Sequence, residues 1–148
     1  MLPATIMCNV KKSKNNLSDK TINWVTETEV KELIKATQKT RYPVRNKLII
    51  LMLYRHGLRE SELCNLKLDY IDFEQSKIFI KRLKGSNDFT HPITGDELRL
   101  IRRYLRIRTG KKYLKSPWLF LSERGNQLSR FTVIKMLEVC CKKAGLRK

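Results

Sequence analysis

The sequence predicts a mainly α-helical α+β domain, with helices arranged around one small antiparallel β-hairpin. Three observations predict it. Apolar residues recur at helical spacing in several separate stretches. One segment, Lys77 to Leu83, switches to the β-branched and aromatic content of a strand. A dense run of turn formers follows it, Lys84-Gly85-Ser86-Asn87-Asp88. At 148 residues the chain is one domain's worth, a size that buries about two thirds of its unfolded surface.

The elements follow in order. Residues 1 to 24 are mostly polar and carry Lys11, Lys12 and Lys14. They read as an irregular basic N-terminal arm, either a plain tail or a contact to DNA. Thr26-Glu27-Thr28-Glu29 has capping-box spacing, and Val30, Leu33 and Ile34 carry a first helix to about Thr37. Tyr42-Pro43 breaks it. Leu48 to Leu53 is apolar almost all round, which places a second helix in the middle of the domain. Gly57 suits its left-handed cap. Glu60 to Leu66 reads as a third helix, with Leu63 and Leu66 inward.

Lys77–Leu83 and Phe89–Ile93 are the predicted strands of the hairpin, with Pro92 at an edge or strand end. A fourth helix runs from about Gly95 to Arg108. Leu98, Ile101 and Leu105 form its inward stripe, and Arg99, Arg102, Arg103 and Arg106 its other face. Trp118 to Leu121 is a short buried extended piece, and Arg124-Gly125-Asn126 is a turn. Ser129 caps a fifth helix over Phe131 to Lys143, which Ala144-Gly145 closes.

Charge narrows the function. Lys and Arg total 32 against 14 Asp and Glu, a formal net charge of +18. An excess of that size suits a polyanion, and nucleic acid is the first candidate. Arg99, Arg102, Arg103, Arg106, Arg108, Lys111, Lys112 and Lys115 form a run without an acid, a solvated face or a DNA-backbone contact with equal weight. No stretch has the roughly 20 apolar residues of a spanning helix, and no signal-peptide pattern opens the chain. The expected setting is therefore the cytoplasm, without a membrane. Cys8, Cys64, Cys140 and Cys141 contain no C-x-x-C pair, so they read as reduced packing thiols. Neither metal nor cofactor is expected.

One constellation carries chemistry. His56-Gly57-Leu58-Arg59-Glu60-Ser61-Glu62-Leu63 resembles the G-[LF]-R-x-S-E box of the tyrosine recombinases, the phage integrase family. Asp69-Tyr70-Ile71-Asp72, Ile80-Lys81-Arg82-Leu83-Lys84-Gly85 and Thr90-His91-Pro92-Ile93 follow in that family's order. They are similar in particular to the fimbrial phase-variation recombinases. Trp118-Leu119-Phe120-Leu121-Ser122 and Gly125 to Arg130 continue the likeness, which covers roughly Thr26 to Leu146. The resemblance implies the front part of a tyrosine recombinase catalytic domain over residues 25–148, acting on double-stranded DNA.

Such enzymes attack a phosphodiester with a tyrosine, and negative charge gathers on the non-bridging oxygens. A guanidinium answers it with two parallel hydrogen bonds. The resemblance gives that part to Arg59, the first of the family's two catalytic arginines. Glu62, one turn on, would hold Arg59 from behind. Lys84 matches the hairpin lysine that protonates the leaving oxygen, with Lys81 a nearby competitor. His91 reads as structural. The family pattern continues with an H-x-x-R box and the tyrosine nucleophile, and neither follows within this sequence. The implied state is a recombinase fragment, inactive alone, that other recombinase protomers or a C-terminal fragment would complete. Two further readings are a DNA-binding regulatory module that competes with full-length relatives, and a basic RNA-binding or assembly protein. Missing cover from later helices would also leave apolar surface open.

Overall fold

The computed structural model describes residues 25–83, 85, 87–109 and 115–146. The arm over residues 1 to 24, Lys84, Lys111 and Lys112 lie outside the described residues. Five helices and three strands follow in the order α1 (Glu27–Thr37), α2 (Pro43–His56), α3 (Glu60–Cys64), β1 (Ile71–Asp72), β2 (Lys77–Ile80), β3 (Phe89–Pro92), α4 (Gly95–Thr109) and α5 (Arg130–Ala144).

The helix ends form for the reasons expected. Thr26 Oγ1 accepts from the backbone N–H of Glu29 at 3.2 Å, and Glu29 Oε2 accepts from the N–H of Thr26 at 2.8 Å. This reciprocal cap satisfies two donors that the helix itself cannot. Pro43 opens α2, where its fixed φ already suits a helix. Gly57 closes it at φ 60°, and Gly145 closes α5 at φ 71°. Ser129 Oγ accepts from Thr132 N at 3.2 Å at the start of α5.

Helix α2 is the centre of the molecule. Residues 48–53 are all buried, and the helix packs against α1, α3 and α4. Helix α1 also packs against α5, so the first and last elements close on each other. Ile78 and Ile80 point from β2 into the core while Lys77 and Phe79 face out, the two-residue alternation of a half-buried strand. Leu119, Phe120 and Leu128 complete the core. Phe131 and Val139 on α5 and Ile107 on α4 are exposed.

Three expectations change in detail. The sheet has three strands, not two, because Ile71 and Asp72 pair antiparallel with Ile78 and Lys77. Strand β2 ends at Ile80 and α3 at Cys64, short of Leu83 and Leu66. Arg108, counted with an exposed cation run, is buried, and its Nη2 donates to the Ser116 carbonyl at 2.7 Å. Arg99, Arg102, Arg103 and Arg106 are exposed as expected.

Among the described residues no helix is long and apolar enough to cross a membrane. No group of three or more His, Cys, Asp or Glu side chains among them could hold a metal ion. Cys64 and Cys140 are free thiols. Burial pushes the Cys64 thiol up to about 11, which keeps it protonated and unreactive.

Candidate functional site

Arg59 occupies the N-cap of α3, immediately beyond the left-handed turn that ends α2. A helix of five residues does not persist alone, so α3 is held by its neighbours. Gln127 Nε2 donates to the Cys64 carbonyl and to Asn65 Oδ1, both at 3.0 Å, and Arg130 Nη2 donates to Glu60 Oε1 at 3.1 Å. The backbone of Arg59 is thereby fixed while its guanidinium stays available, with the side chain 43% exposed.

Glu62 meets Arg59 mainly through the main chain. Its Oε2 accepts from the backbone N–H of Arg59 at 2.9 Å, whereas Arg59 Nη1 stands 3.9 Å from Oε1. The Glu62 side chain is 0% exposed, and Oε1 is a buried acceptor without a hydrogen-bond partner among the described residues. Arg82 supplies what the sequence reading missed. Its Nη1 donates to Glu62 Oε2 at 2.6 Å, and its guanidinium lies 4.5 Å from the centre of the Phe89 ring. The backbone N–H of Arg82 donates to Asp88 Oδ1 at 2.8 Å. One side chain therefore couples the base of the β2–β3 hairpin to the buried carboxylate behind Arg59. Lys81 is exposed beside it, and Lys84 lies outside the described residues.

A second network supports the junction from below. His56, the last residue of α2, is buried. Its Nε2 lies 3.1 Å from Glu97 Oε1 and its Nδ1 lies 3.2 Å from His91 Nδ1. Thr94 donates to Glu97 Oε2 through its backbone N–H at 3.2 Å and its hydroxyl at 2.8 Å. Arg55 forms a two-pronged pair with Asp96, at 3.0 and 2.8 Å. His91 on β3 sits between His56 and the Phe89 ring, a contact that joins the sheet to the end of α2.

These contacts set a pH response. Burial lowers the His91 pKa, and its neighbours His56 and Arg82 add to the effect. Burial raises the Glu97 pKa, but the hydrogen bonds from His56 and Thr94 outweigh it and leave the carboxyl below its ordinary value. The Arg55 hydrogen bond, then that of Thr94, holds Asp96 far below the usual carboxylate range. A depressed folded pKa contributes stability that is present above the unfolded value and lost as pH falls. The melting temperature is expected to drop first below about pH 6.5, where His91 takes up a proton in the unfolded chain. It drops again below about pH 4, where Glu97 and Asp96 do so. Calorimetry from pH 8 to 3 checks this, and His91→Phe is expected to remove the upper step only.

The chain matches the phage integrase family over residues 23–148. The chain belongs to that family. It is 35% identical over 133 residues to the type 1 fimbriae regulatory protein FimB of Escherichia coli K12, covering 90% of this chain and 66% of FimB. It is 42% identical over 126 residues to the tyrosine recombinase XerA of Pyrococcus furiosus, covering 83% of this chain and 42% of XerA. The crystal structure of a XerA recombinase superposes with a TM-score of 0.75 at 27% identity, over 92% of this chain and 47% of that one. A lambda integrase dimer bound to a core site shares the fold at a TM-score of 0.65 and 20% identity, over 84% of this chain and 35% of that one. The chain thus spans less than two thirds of the length of these relatives. Within this phage integrase fold, Arg59 and Glu62 stand together at the head of α3, with Arg82 joining the hairpin to them.

Proposed function

We propose that these 148 residues form the DNA-binding half of a tyrosine recombinase active site. It would take part in site-specific recombination of double-stranded DNA and be unable to cleave DNA on its own. The observation that carries this reading is Arg59, a half-exposed guanidinium on a backbone pinned by the buried Glu62. A fixed donor fork of that kind loses little freedom when it meets a phosphate.

Each residue then has a part. Arg59 pairs with the non-bridging oxygens of the scissile phosphate. Lys84, by its match to the family's lysine, delivers a proton to the leaving oxygen. Glu62 is a positioning residue, and Arg82 extends its hold to the hairpin. The exposed Arg99, Arg102, Arg103 and Arg106 add sequence-independent attraction to the duplex backbone. The nucleophilic tyrosine, the second arginine and the histidine base would come from a further segment or another chain. The free thiols suit the reducing cytoplasm, where such a protein would meet DNA.

The test is duplex DNA titrated at several salt concentrations. Affinity is expected to fall at least a hundredfold between roughly 50 and 200 mM salt, because each neutralised phosphate releases counterions. A binding constant flat across that range would sink the proposal.

A further inference from the structure

A cavity of about 250 Å3 opens at the other end of α2, between the start of that helix, the end of α4 and the Leu121–Glu123 segment. Helix α2 has 14 residues, so at 1.5 Å per residue this cavity lies about 20 Å along the helix from the Arg59 end. It is a separate place from the proposed phosphate site.

Its chemistry is unusual for a merely imperfect core. Three guanidiniums, those of Arg41, Arg45 and Arg108, border it. Arg41 is paired with Glu123 at the rim. Arg45 donates from Nη1 to the Leu121 carbonyl at 3.2 Å and from Nε and Nη2 to Asn46 Oδ1, both at 3.2 Å. Those acceptors are neutral. Arg108 is only 6% exposed, donates to the neutral Ser116 carbonyl, and keeps a buried Nε without a hydrogen-bond partner among the described residues. Neither Arg45 nor Arg108 has a carboxylate partner within ion-pair distance among the described residues. Burial depresses both guanidinium pKa values, which marks the cost of holding these charges out of water. Apart from Ser122 and Glu123 the remaining walls are apolar or aromatic, with Tyr42, Val44, Ile107 and Leu121 among them. The Arg45 guanidinium stacks 4.5 Å from the Tyr42 ring centre.

We infer that this cavity is a binding site for a small organic carboxylate with a compact apolar body. The carboxylate would meet Arg108 and Arg45, which make no ion pair among the described residues, and the body would lie against Tyr42, Val44 and Ile107. The space is several times what a single water needs, and a benzoate-sized acid is of that order. The Glu123 carboxylate at the rim disfavours a dianion, so a carboxylate suits the site better than a phosphate.

The experiment is calorimetric titration of the whole chain with benzoate, with benzamide as its neutral isostere, and with inorganic phosphate. Benzoate is expected to bind, with benzamide and phosphate each at least tenfold weaker. Arg108→Gln is expected to weaken benzoate roughly ten- to a hundredfold, the range for a hydrogen bond to a charged group. Lys31→Gln, on the exposed face of α1, is expected to stay within twofold of the unchanged chain. Val44→Trp fills the cavity and leaves every guanidinium in place, so it is expected to abolish binding even if Arg108→Gln fails to fold. Failure of benzoate to bind overturns the inference, as does equal affinity for benzamide. Phosphate binding as tightly as benzoate would mean an adventitious ion only. Binding that survives Val44→Trp, or that falls equally with Lys31→Gln, would mean general basicity. None of these outcomes touches DNA affinity, so they are independent of the recombinase reading.

Discussion

Lys84→Ala is expected to abolish cleavage while leaving DNA binding nearly intact. The assay supplies the C-terminal segment of a fimbrial-type relative, with its H-x-x-R box and tyrosine, to this chain on a nicked suicide duplex. Losing a general acid costs roughly 10²–10⁴-fold in rate. The lysine acts on charge that develops only in the transition state, so duplex affinity is expected to change by less than about twofold. Arg59→Ala is expected to lose both properties, with binding weaker by about 1–3 kcal/mol. Arg59→Lys is expected to recover only part of that, since an ammonium cannot reproduce the fork. The unchanged chain alone is expected to form no covalent adduct on a denaturing gel. Normal cleavage by Lys84→Ala would move the acid to another group, with Lys81 the first to test. An adduct formed by the chain alone would overturn the reading of it as half a site.

The second large effect concerns the carboxylate behind Arg59. Arg82→Ala strands Glu62, whose side chain is fully buried and whose Oε1 already lacks a hydrogen bond. Breaking a buried pair from one side costs about 3 kcal/mol or more, far above the ~1 kcal/mol of a surface ion pair. Urea unfolding is the measurement. The double variant Glu62→Leu, Arg82→Met replaces the pair with apolar groups and is expected to regain most of the lost stability. It does not regain function, because the Arg59 N–H has lost its acceptor and the hairpin its tie. Stability and complemented cleavage are thus expected to part company in the double variant. A double variant that cleaves normally would reduce Glu62 and Arg82 to packing.

Much of this was legible before any coordinates. The capping residues Thr26 and Ser129 and the closing glycines Gly57 and Gly145 act locally, so spacing alone reveals them. The all-round apolar run of α2 fixed its place at the centre because no face of it could meet water. Arg59 and Glu62 were legible through their motif, since they are neighbours on one short helix. Strand β1 was not, being two residues long and preceded by no recognisable turn signature. Its turn to β2 uses Asp72 Oδ1 as acceptor for the N–H groups of Glu74 and Gln75 and places Ser76 at φ 53°, a conformation usually left to glycine or asparagine. Arg82 shows in the sequence only as part of a strand and of the Ile80 to Gly85 stretch, because its partner lies 20 residues earlier in the chain. His56 and His91 are 35 residues apart and meet only through the sheet. One signal was available and unused. Thr94-Gly95-Asp96-Glu97 repeats the T-x-x-E spacing of Thr26 to Glu29, and the same Glu97 that caps α4 is the anchor of His56.

The packing of α1 on α5 bears on how the chain is made. Contacts between Glu27–Thr37 and Arg130–Ala144 span about a hundred residues, so they close one of the longest loops the sequence permits. On a ribosome, α1 leaves the tunnel long before α5 exists. Until then the buried stripe Val30, Leu33 and Ala36 has only α2 to rest on. The domain cannot close until nearly every residue through Ala144 has been translated. Its folding is therefore governed by the late arrival of one helix, the slow step that contacts of long sequence separation impose.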